Sequence, residues 1–272
     1  MNRTQLFNDA WQMMVRNSAL WIVALIVLAV GAVISLLLNS SDLIVVILNA
    51  LISLVISAFL TGALINMVNA IANGQKMTVN DGLQAGTQKI GPLVALRLLL
   101  ALPLWIVGFL LSGSLVVALI SAARNSDGFG SASSLFAGGL AGAVGLGIVI
   151  TLVGIVLAAV GVGAERAIVI DNAPVIDAFK RGWNLLTVHL GDFVVIGLLM
   201  IVIGLAVGIL IGCAVSAVAV PAAISQLGPN GSVTGFGATV VVTTLLGVIV
   251  GVVTQVLFSA VWTLAYRQWQ GQ

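Results

Sequence analysis

The run VIGLLMIVIGLAVGIL occupies residues 195–210 and contains no charged side chain. It is part of a longer apolar stretch, residues 193–224. A helix needs about 20 such residues to cross the hydrocarbon layer of a membrane. A membrane β-barrel would instead show alternating segments of about ten residues. The run therefore predicts a transmembrane helix.

Five further runs of comparable length predict an all-α fold, a polytopic membrane bundle of six helices in a single membrane domain. The six runs are residues 19–38, 43–72, 91–122, 138–164, 193–224 and 237–266. Composition agrees, because 61% of the 272 residues are hydrophobic and only 7% are charged. A soluble domain carries about 25% charged residues. So few charges could not cover the surface of this chain in water.

The few charged side chains are distributed unevenly between the two ends of the predicted bundle. Because Lys and Arg in short loops stay in the cytoplasm, we expect both termini there and the first span to be an uncleaved anchor. With ten basic and eight acidic residues, no basic patch forms and nucleic acid is not expected as a partner. Only Arg124 lies on the outer side, against eight basic residues on the inner side: Arg3, Arg16, Lys76, Lys89, Arg166, Lys180, Arg181 and Arg267.

The segments that precede the odd-numbered spans resemble one another. Residues 79–89 align with residues 175–185 without gaps, which pairs Asp81 with Asp177 and Gly86 with Gly182. Residues 6–16 align with the third segment at a shift of 172 residues, which pairs Phe7 with Phe179 and Trp11 with Trp183. We expect three repeats, residues 1–76, 77–172 and 173–272, each a cytoplasmic amphipathic helix followed by a helical hairpin.

The third of these segments has one apolar face at helical spacing, formed by Val175, Phe179, Trp183 and Leu186. Such a helix would lie in the headgroup layer with its aromatic rings toward the lipid, so membrane lipids are an expected partner. An aspartate lies early in each segment, where it would cap or complement a helix N-terminus. These aspartates are Asp9, Asp81 and Asp177.

The pattern Asp-Ala/Gly-Phe/Leu-x-x-Gly-Trp before the odd spans, with the closing run WTLAYR at residues 262–267, resembles the multi-pass membrane domain of some bacterial glycerophosphoryl diester phosphodiesterases. It is also similar to stand-alone bacterial membrane proteins built on that domain. The resemblance implies a multi-pass fold in the bacterial inner membrane. It implies no phosphodiesterase activity, because the soluble barrel of those enzymes needs paired histidines and this chain has only His189.

Small residues recur every four positions along the fifth and sixth spans, a pattern that lets helix backbones approach closely. We expect this packing within the chain, between sequential spans; packing on other membrane subunits or in a homo-oligomer is the alternative. The positions are Gly204, Gly208, Gly212 and Ser216 in span five, and Gly247 and Gly251 in span six, with Gly138, Gly142 and Gly154 in span four.

Asn49, Ser53, Ser57 and Thr61 form a polar stripe along span two. A pore or substrate path would use such a lining, and hydrogen bonding between helices explains it as well. We favour hydrogen bonding between helices, because no charged stripe accompanies these residues.

Arg97 is the one charge that falls well inside a span. A bare charge near the bilayer centre costs at least ~2.5 kcal/mol, so its guanidinium must have a partner. Glu165 and Asp192 lie at comparable depth and would form an ion pair with it. An anion or a lipid phosphate is the alternative partner, because guanidinium binds phosphate with two hydrogen bonds.

The residues that bind metals and cofactors are scarce in this chain. It has one cysteine, Cys213 in an apolar run, and one histidine, so no cofactor or metal site is expected. His189 just before span five could ligate a haem or pigment metal, although an exposed interfacial histidine is the simpler explanation.

These observations favour a non-catalytic membrane protein, either an accessory or assembly subunit or a lipid-associated scaffold. The alternative function is a small transporter or channel that uses the stripe on span two. A water-accessible cavity lined by Asn49, Ser53 and Ser57 would favour the transporter, and a dry core with an exposed glycine-rich flank would favour the subunit.

The uneven distribution of basic residues predicts the orientation of the chain. Single cysteines at Ser40, Asn125 and Asn230 should react with a membrane-impermeant thiol reagent added outside intact cells, and cysteines at Lys76 and Asn172 should not. Labelling at Asn172 from outside would contradict the orientation.

Overall fold

The computed structural model describes residues 3–38, 42–124, 130–226 and 234–271, without the side chains of residues 107, 109–146, 210–211, 214–215 and 217–243. These residues form eight helices. They are α1 (Arg3–Arg16), α2 (Ser18–Leu37), α3 (Leu43–Ala72), α4 (Val79–Arg124), α5 (Gly130–Ile170), α6 (Val175–Val188), α7 (Leu190–Gln226) and α8 (Thr234–Trp269).

Six of the helices are long and apolar enough to cross a membrane, namely α2, α3, α4, α5, α7 and α8. This confirms the all-α, six-span architecture. The protein is therefore a multi-pass membrane protein.

The helices that enter the odd spans differ in one respect from the expected pattern. α1 ends at Arg16 and α6 at Val188, and in each case one residue, Asn17 or His189, separates the short helix from the following span. The second segment is instead continuous with span three, so α4 is a single helix from Val79. Here the apolar run begins near Gly91, and no Asn or His lies between the entry segment and this run. The helix can therefore continue into the span.

The even spans are central in the bundle, because α3, α5 and α8 contact one another. Of the odd spans, α2 packs on α3 and α8, α4 packs on α3 and α5, and α7 packs on α8. The three entry segments also pack on even spans: α1 on α8, the start of α4 on α3, and α6 on α5. One entry segment thus covers each even span, at the end of the bundle that carries most of the basic residues.

Two of these contacts depend on glycines that the repeat alignment pairs, Gly86 and Gly182. A Cβ at Gly182 would overlap the carbonyl oxygen of Val160 and lie 2.9 Å from the nitrogen of Ala164, both on α5. A Cβ at Gly86 would lie 3.0 Å from the carbonyl oxygen of Phe59 on α3. Both glycines therefore allow an entry segment, the start of α4 or the short helix α6, to touch the backbone of an even span.

The side of α6 that was predicted to face lipid packs mostly on the bundle, since three of its four residues are buried or partly buried against the core. Ala178, Gly182 and Leu186 are buried against the bundle, whereas Trp183 is 48% exposed. Close approach to α5 requires small side chains, so the face with small residues turns inward. Of the predicted apolar face only Trp183 is left clearly exposed, where lipid could contact it.

The three early aspartates do not share one role. Asp81 accepts hydrogen bonds from the backbone nitrogen of Thr78 at 2.9 Å and from its hydroxyl at 2.7 Å. The nitrogen of Asp81 donates to the Thr78 hydroxyl at 3.3 Å, which completes a reciprocal N-terminal cap. Asp177 lies in the first turn of α6. Asp9 lies in the middle of α1, so the predicted capping role is wrong for that residue.

The glycine stripe of span five does not pack within the chain, contrary to the prediction. Among the described residues, a Cβ at Gly204, Gly208 or Gly212 would meet no atom of another helix within 4 Å. The same is true of Gly154 and Gly247, while a Cβ at Gly251 would lie 3.3 Å from Leu28 on α2. α7 contacts α8 through other residues, so its glycine face is left uncovered. Gly138 and Gly142 lie outside the described side chains.

Two glycine-to-alanine variants should therefore affect stability in opposite directions. Gly182→Ala should lower the free energy of unfolding by roughly 1–3 kcal/mol, because the new methyl group meets the backbone of α5. Gly208→Ala should be neutral or stabilising by up to about 1 kcal/mol, since alanine favours helix and the space is open. Thermal unfolding of the two detergent-purified variants measures this. Equal destabilisation would contradict the packing described here.

Candidate functional site

Arg97 forms an ion pair inside the bundle with Glu165. Its Nε and Nη2 atoms donate to Oε1 of Glu165 at 3.0 and 2.9 Å. Nη2 also donates to the hydroxyl of Thr61 at 2.7 Å, and Nη1 donates to the hydroxyl of Ser57. Arg97 stands on α4, Glu165 on α5, and both hydroxyls on α3. One guanidinium therefore links three spans.

This cluster lies well inside the bundle. Thr61 precedes the end of α3 at Ala72 by eleven residues, which is about 17 Å of helix. Glu165 precedes the end of α5 at Ile170 by five residues, about 8 Å. The side chains of Arg97 and Glu165 are 20% and 14% exposed.

Asp192, the other candidate partner, pairs with a different arginine. Its Oδ1 accepts from Nη2 of Arg3 at 2.9 Å, so it ties the start of α7 to α1. The expectation of a pair between Arg97 and Asp192 is wrong. Asp192 comes two residues after α7 begins, which leaves it at the end of the bundle, where α1 lies.

The polar stripe of span two divides between two roles. Asn49 accepts a hydrogen bond from the hydroxyl of Ser35 on α2 at 3.4 Å. Ser57 and Thr61 hold Arg97, so three of the four residues bond to neighbouring spans. Ser53, Ser57 and Thr61 also line a cavity. The stripe thus both hydrogen-bonds to neighbouring helices and lines a cavity.

That cavity, here called the central cavity, has a volume of about 510 Å³ and is lined by residues of α2, α3, α4, α5 and α8. Its lining extends from Ser35, two residues before the end of α2, to Arg166, four residues before the end of α5. These two helix ends lie at opposite ends of the bundle. Polar and charged groups of its wall are Ser35, Ser53, Ser57, Thr61, Gln255, Ser259, Arg97, Glu165 and Arg166.

Four of these wall residues, among them Ser35, were not predicted as site residues. Arg166 was assigned to a cytoplasmic connection, but α5 continues to Ile170 and buries its side chain to 1% exposure. Gln255 and Ser259 are polar residues one turn apart on α8. Two polar residues four positions apart in an apolar run form the same kind of pattern as the stripe on span two, and this pattern could have identified them.

His189 lies away from the cavity, in an aromatic cluster at the start of α7. Its ring stacks on Trp269 with centroids 5.3 Å apart and an interplanar angle of 12°. Trp269 also stacks on Phe193, with centroids 4.7 Å apart. In the described part of the chain, no group of three or more His, Cys, Asp or Glu lies close enough to hold a metal ion. Cys213 is an exposed free thiol.

The chain belongs to the family described as "Domain of unknown function (DUF7847)", whose model matches residues 1–269. No curated protein and no solved structure matches the chain. The resemblance to the phosphodiesterase-associated membrane domain stays a prediction, because the family description names no activity.

The Arg97–Glu165 pair should show strong coupling when its members are removed. Arg97→Met alone should destabilise the protein by roughly 3–5 kcal/mol, because it strands the Glu165 carboxylate, whereas Arg97→Met with Glu165→Gln should cost much less. Thermal unfolding of the two single variants and the double variant measures this.

A matched control is the more exposed pair of Arg181 and Asp171, whose atoms lie 3.0 Å apart. Arg181→Gln should cost about 1 kcal/mol or less. Additive effects of Arg97→Met and Glu165→Gln would contradict a coupled buried pair.

Proposed function

We propose that this protein is a small, non-catalytic transporter of the bacterial inner membrane, with both termini in the cytoplasm, and that the central cavity is its substrate path. The observation that carries the proposal is the extent of the cavity. Its wall reaches from near the end of α2 to near the end of α5, at opposite ends of the bundle.

The chemistry of the wall supports this function. A polar solute that enters a membrane must exchange its hydration shell for hydrogen-bonding groups of the protein. Hydroxyls of Ser53, Ser57 and Ser259 and the amide of Gln255 provide such groups along α3 and α8. A volume of about 510 Å³ is also in the range of small-molecule sites, about 300–1,000 Å³.

The ion pair favours a carrier over an open channel. Arg97 bonds at once to α3 and α5, so the polar groups at mid-cavity are cross-linked to each other rather than free to line a continuous pore. Transport would require a second state in which these contacts are exchanged for contacts to the substrate. Packed interfaces that switch between two arrangements suit such a change.

A second candidate is the accessory or assembly subunit. It is favoured by the uncovered glycines on α7, Gly204, Gly208 and Gly212, which lie beside the exposed apolar side chains of Leu205 and Ile209. A helix of another subunit, or of a second copy, could approach this face closely. This function leaves the polar cavity unexplained, so the transporter is the stronger proposal.

The accessibility of the central cavity to water tests the transporter. In a Cys213→Ser background, Ser53→Cys should react with a small hydrophilic thiol reagent in membranes, because position 53 lines the cavity. Val55→Cys is the matched control, two residues along α3, 41% exposed and outside the cavity lining. It should react at least about tenfold more slowly, since thiols surrounded by lipid ionise poorly.

A lipid-soluble thiol reagent should label both variants, which checks that each is present in the membrane with a reactive thiol. Equal, slow reaction of both variants with the hydrophilic reagent would contradict a water-accessible path. That result would leave the assembly subunit as the better function.

A further inference from the structure

Arg166 carries a buried positive charge whose hydrogen-bonding capacity is only partly used. Its side chain is 1% exposed, and Nη1 donates to the carbonyl oxygen of Val162 at 2.7 Å. Its Nε atom has no hydrogen-bond partner among the residues that the structure describes. Within the described ranges, the salt bridges are formed by other cations, Arg3, Arg97, Lys180 and Arg181.

A second unsatisfied donor lines the same cavity. Ser259 on α8 is 5% exposed, and its hydroxyl has no partner. Gln255, one turn earlier on α8, also lines the cavity. Buried polar groups in native proteins are nearly always hydrogen-bonded, and an unpaired buried group costs free energy. Two such groups in one cavity therefore point to a ligand that bonds to both.

The charge of the cavity indicates the sign of that ligand. The wall contains two guanidinium groups, those of Arg97 and Arg166, and one carboxylate, that of Glu165. Glu165 hydrogen-bonds to Arg97 and also attracts Arg166 electrostatically, so the wall keeps one net positive charge. An anion would supply both the missing charge and the missing acceptors.

We propose that the central cavity binds a phosphate ester, whose oxygens accept hydrogen bonds from Nε of Arg166 and the hydroxyl of Ser259. This inference rests on the proposed function and names the class of its substrate. A phosphate group presents three outward oxygens, enough to accept hydrogen bonds from donors on both α5 and α8. Arginine is also the side chain best matched to phosphate.

The rest of the lining indicates what the phosphate is attached to. Leu60, Leu64 and Phe258 form apolar parts of the wall, and the cavity is much larger than a phosphate ion. An organic group on the phosphate would contact these side chains. The phosphate itself could come from a membrane phospholipid or from a water-soluble ester, and the chemistry at Arg166 is the same for both.

Thermal unfolding of the detergent-purified full chain tests the site with two probes. One probe is sodium phosphate against sodium chloride at equal ionic strength, and the other is phosphatidylglycerol against phosphatidylcholine in mixed micelles. Binding to the folded state raises the melting temperature. Stabilisation by both probes indicates a site open to soluble phosphate, and stabilisation by phosphatidylglycerol alone indicates a lipid headgroup.

Variants of the chain locate the effect. Ser259→Ala should weaken the response so that about tenfold more of the active probe is needed, because it removes one hydrogen bond to a charged group. Arg166→Gln should abolish the response. If Arg166→Gln does not fold, Ser259→Ala is sufficient to test the site. Lys180→Gln is the control, since it removes a cation that is 72% exposed, and it should keep the full response.

The proposal is overturned if neither probe stabilises the wild type, or if Ser259→Ala and Lys180→Gln respond alike. Its failure is distinct from failure of the transporter. A chain that phosphate does not stabilise but whose Ser53→Cys variant is labelled would keep the water-accessible path that the transporter requires, with a different class of solute. A chain that phosphate stabilises but that is not labelled would bind the anion without transporting it.

Discussion

A charged side chain inside a membrane has to find its partners within the protein, and the arrangement of the central helices follows from how Arg97 does so. The bilayer core offers no water, so each polar group there must be satisfied internally. Arg97 meets this requirement with Glu165 on α5 and with Ser57 and Thr61 on α3. Because the four residues stand on three spans, their contacts hold α3, α4 and α5 together along one polar wall. The central cavity lies against that wall.

The basic end of the bundle is held by a second set of polar contacts. Asp171, in the connection after α5, accepts from the hydroxyl of Tyr266 at 2.6 Å and from Arg181 at 3.0 Å. Arg267 donates to the carbonyl oxygen of Asn69 at 3.0 Å, which joins the ends of α8 and α3. Together with the glycine contacts of the entry segments, these bonds join the even spans at one end. A bundle fixed at that end can change its packing elsewhere, as a carrier requires.

The sequence predicted features that depend on local chemistry and missed those that depend on neighbours. Six spans follow from run length alone, and the Arg97–Glu165 pair follows from the cost of an intramembrane charge. The inward face of α6 was not predicted, because apolar spacing does not distinguish contact with lipid from contact with protein. Phe179 packs on the core beside the small residues around Gly182. The stripe at Gly208 had the spacing of a helix interface, but spacing does not identify the helix that covers it. The fourth apolar run ends at residue 164, so hydropathy places Arg166 in a connection, whereas α5 continues to Ile170.

The position of Arg166 next to Glu165 has a consequence for how substrate and conformation would be linked. The Oε1 atom of Glu165 accepts two hydrogen bonds from Arg97, and the carboxylate also attracts the neighbouring guanidinium of Arg166. One carboxylate balances one of the two positive charges, which leaves the second for the substrate. Under the phosphate proposal, a bound anion would place negative charge beside Glu165 and repel it. The Arg97–Glu165 pair would then be weaker with substrate present than without it. The coupling between anion binding and this ion pair is reciprocal and amounts typically to 1–3 kcal/mol. A state in which the ion pair between α4 and α5 is broken would therefore bind the anion more tightly. The same two neighbouring residues would thus connect recognition of the substrate to opening of the path.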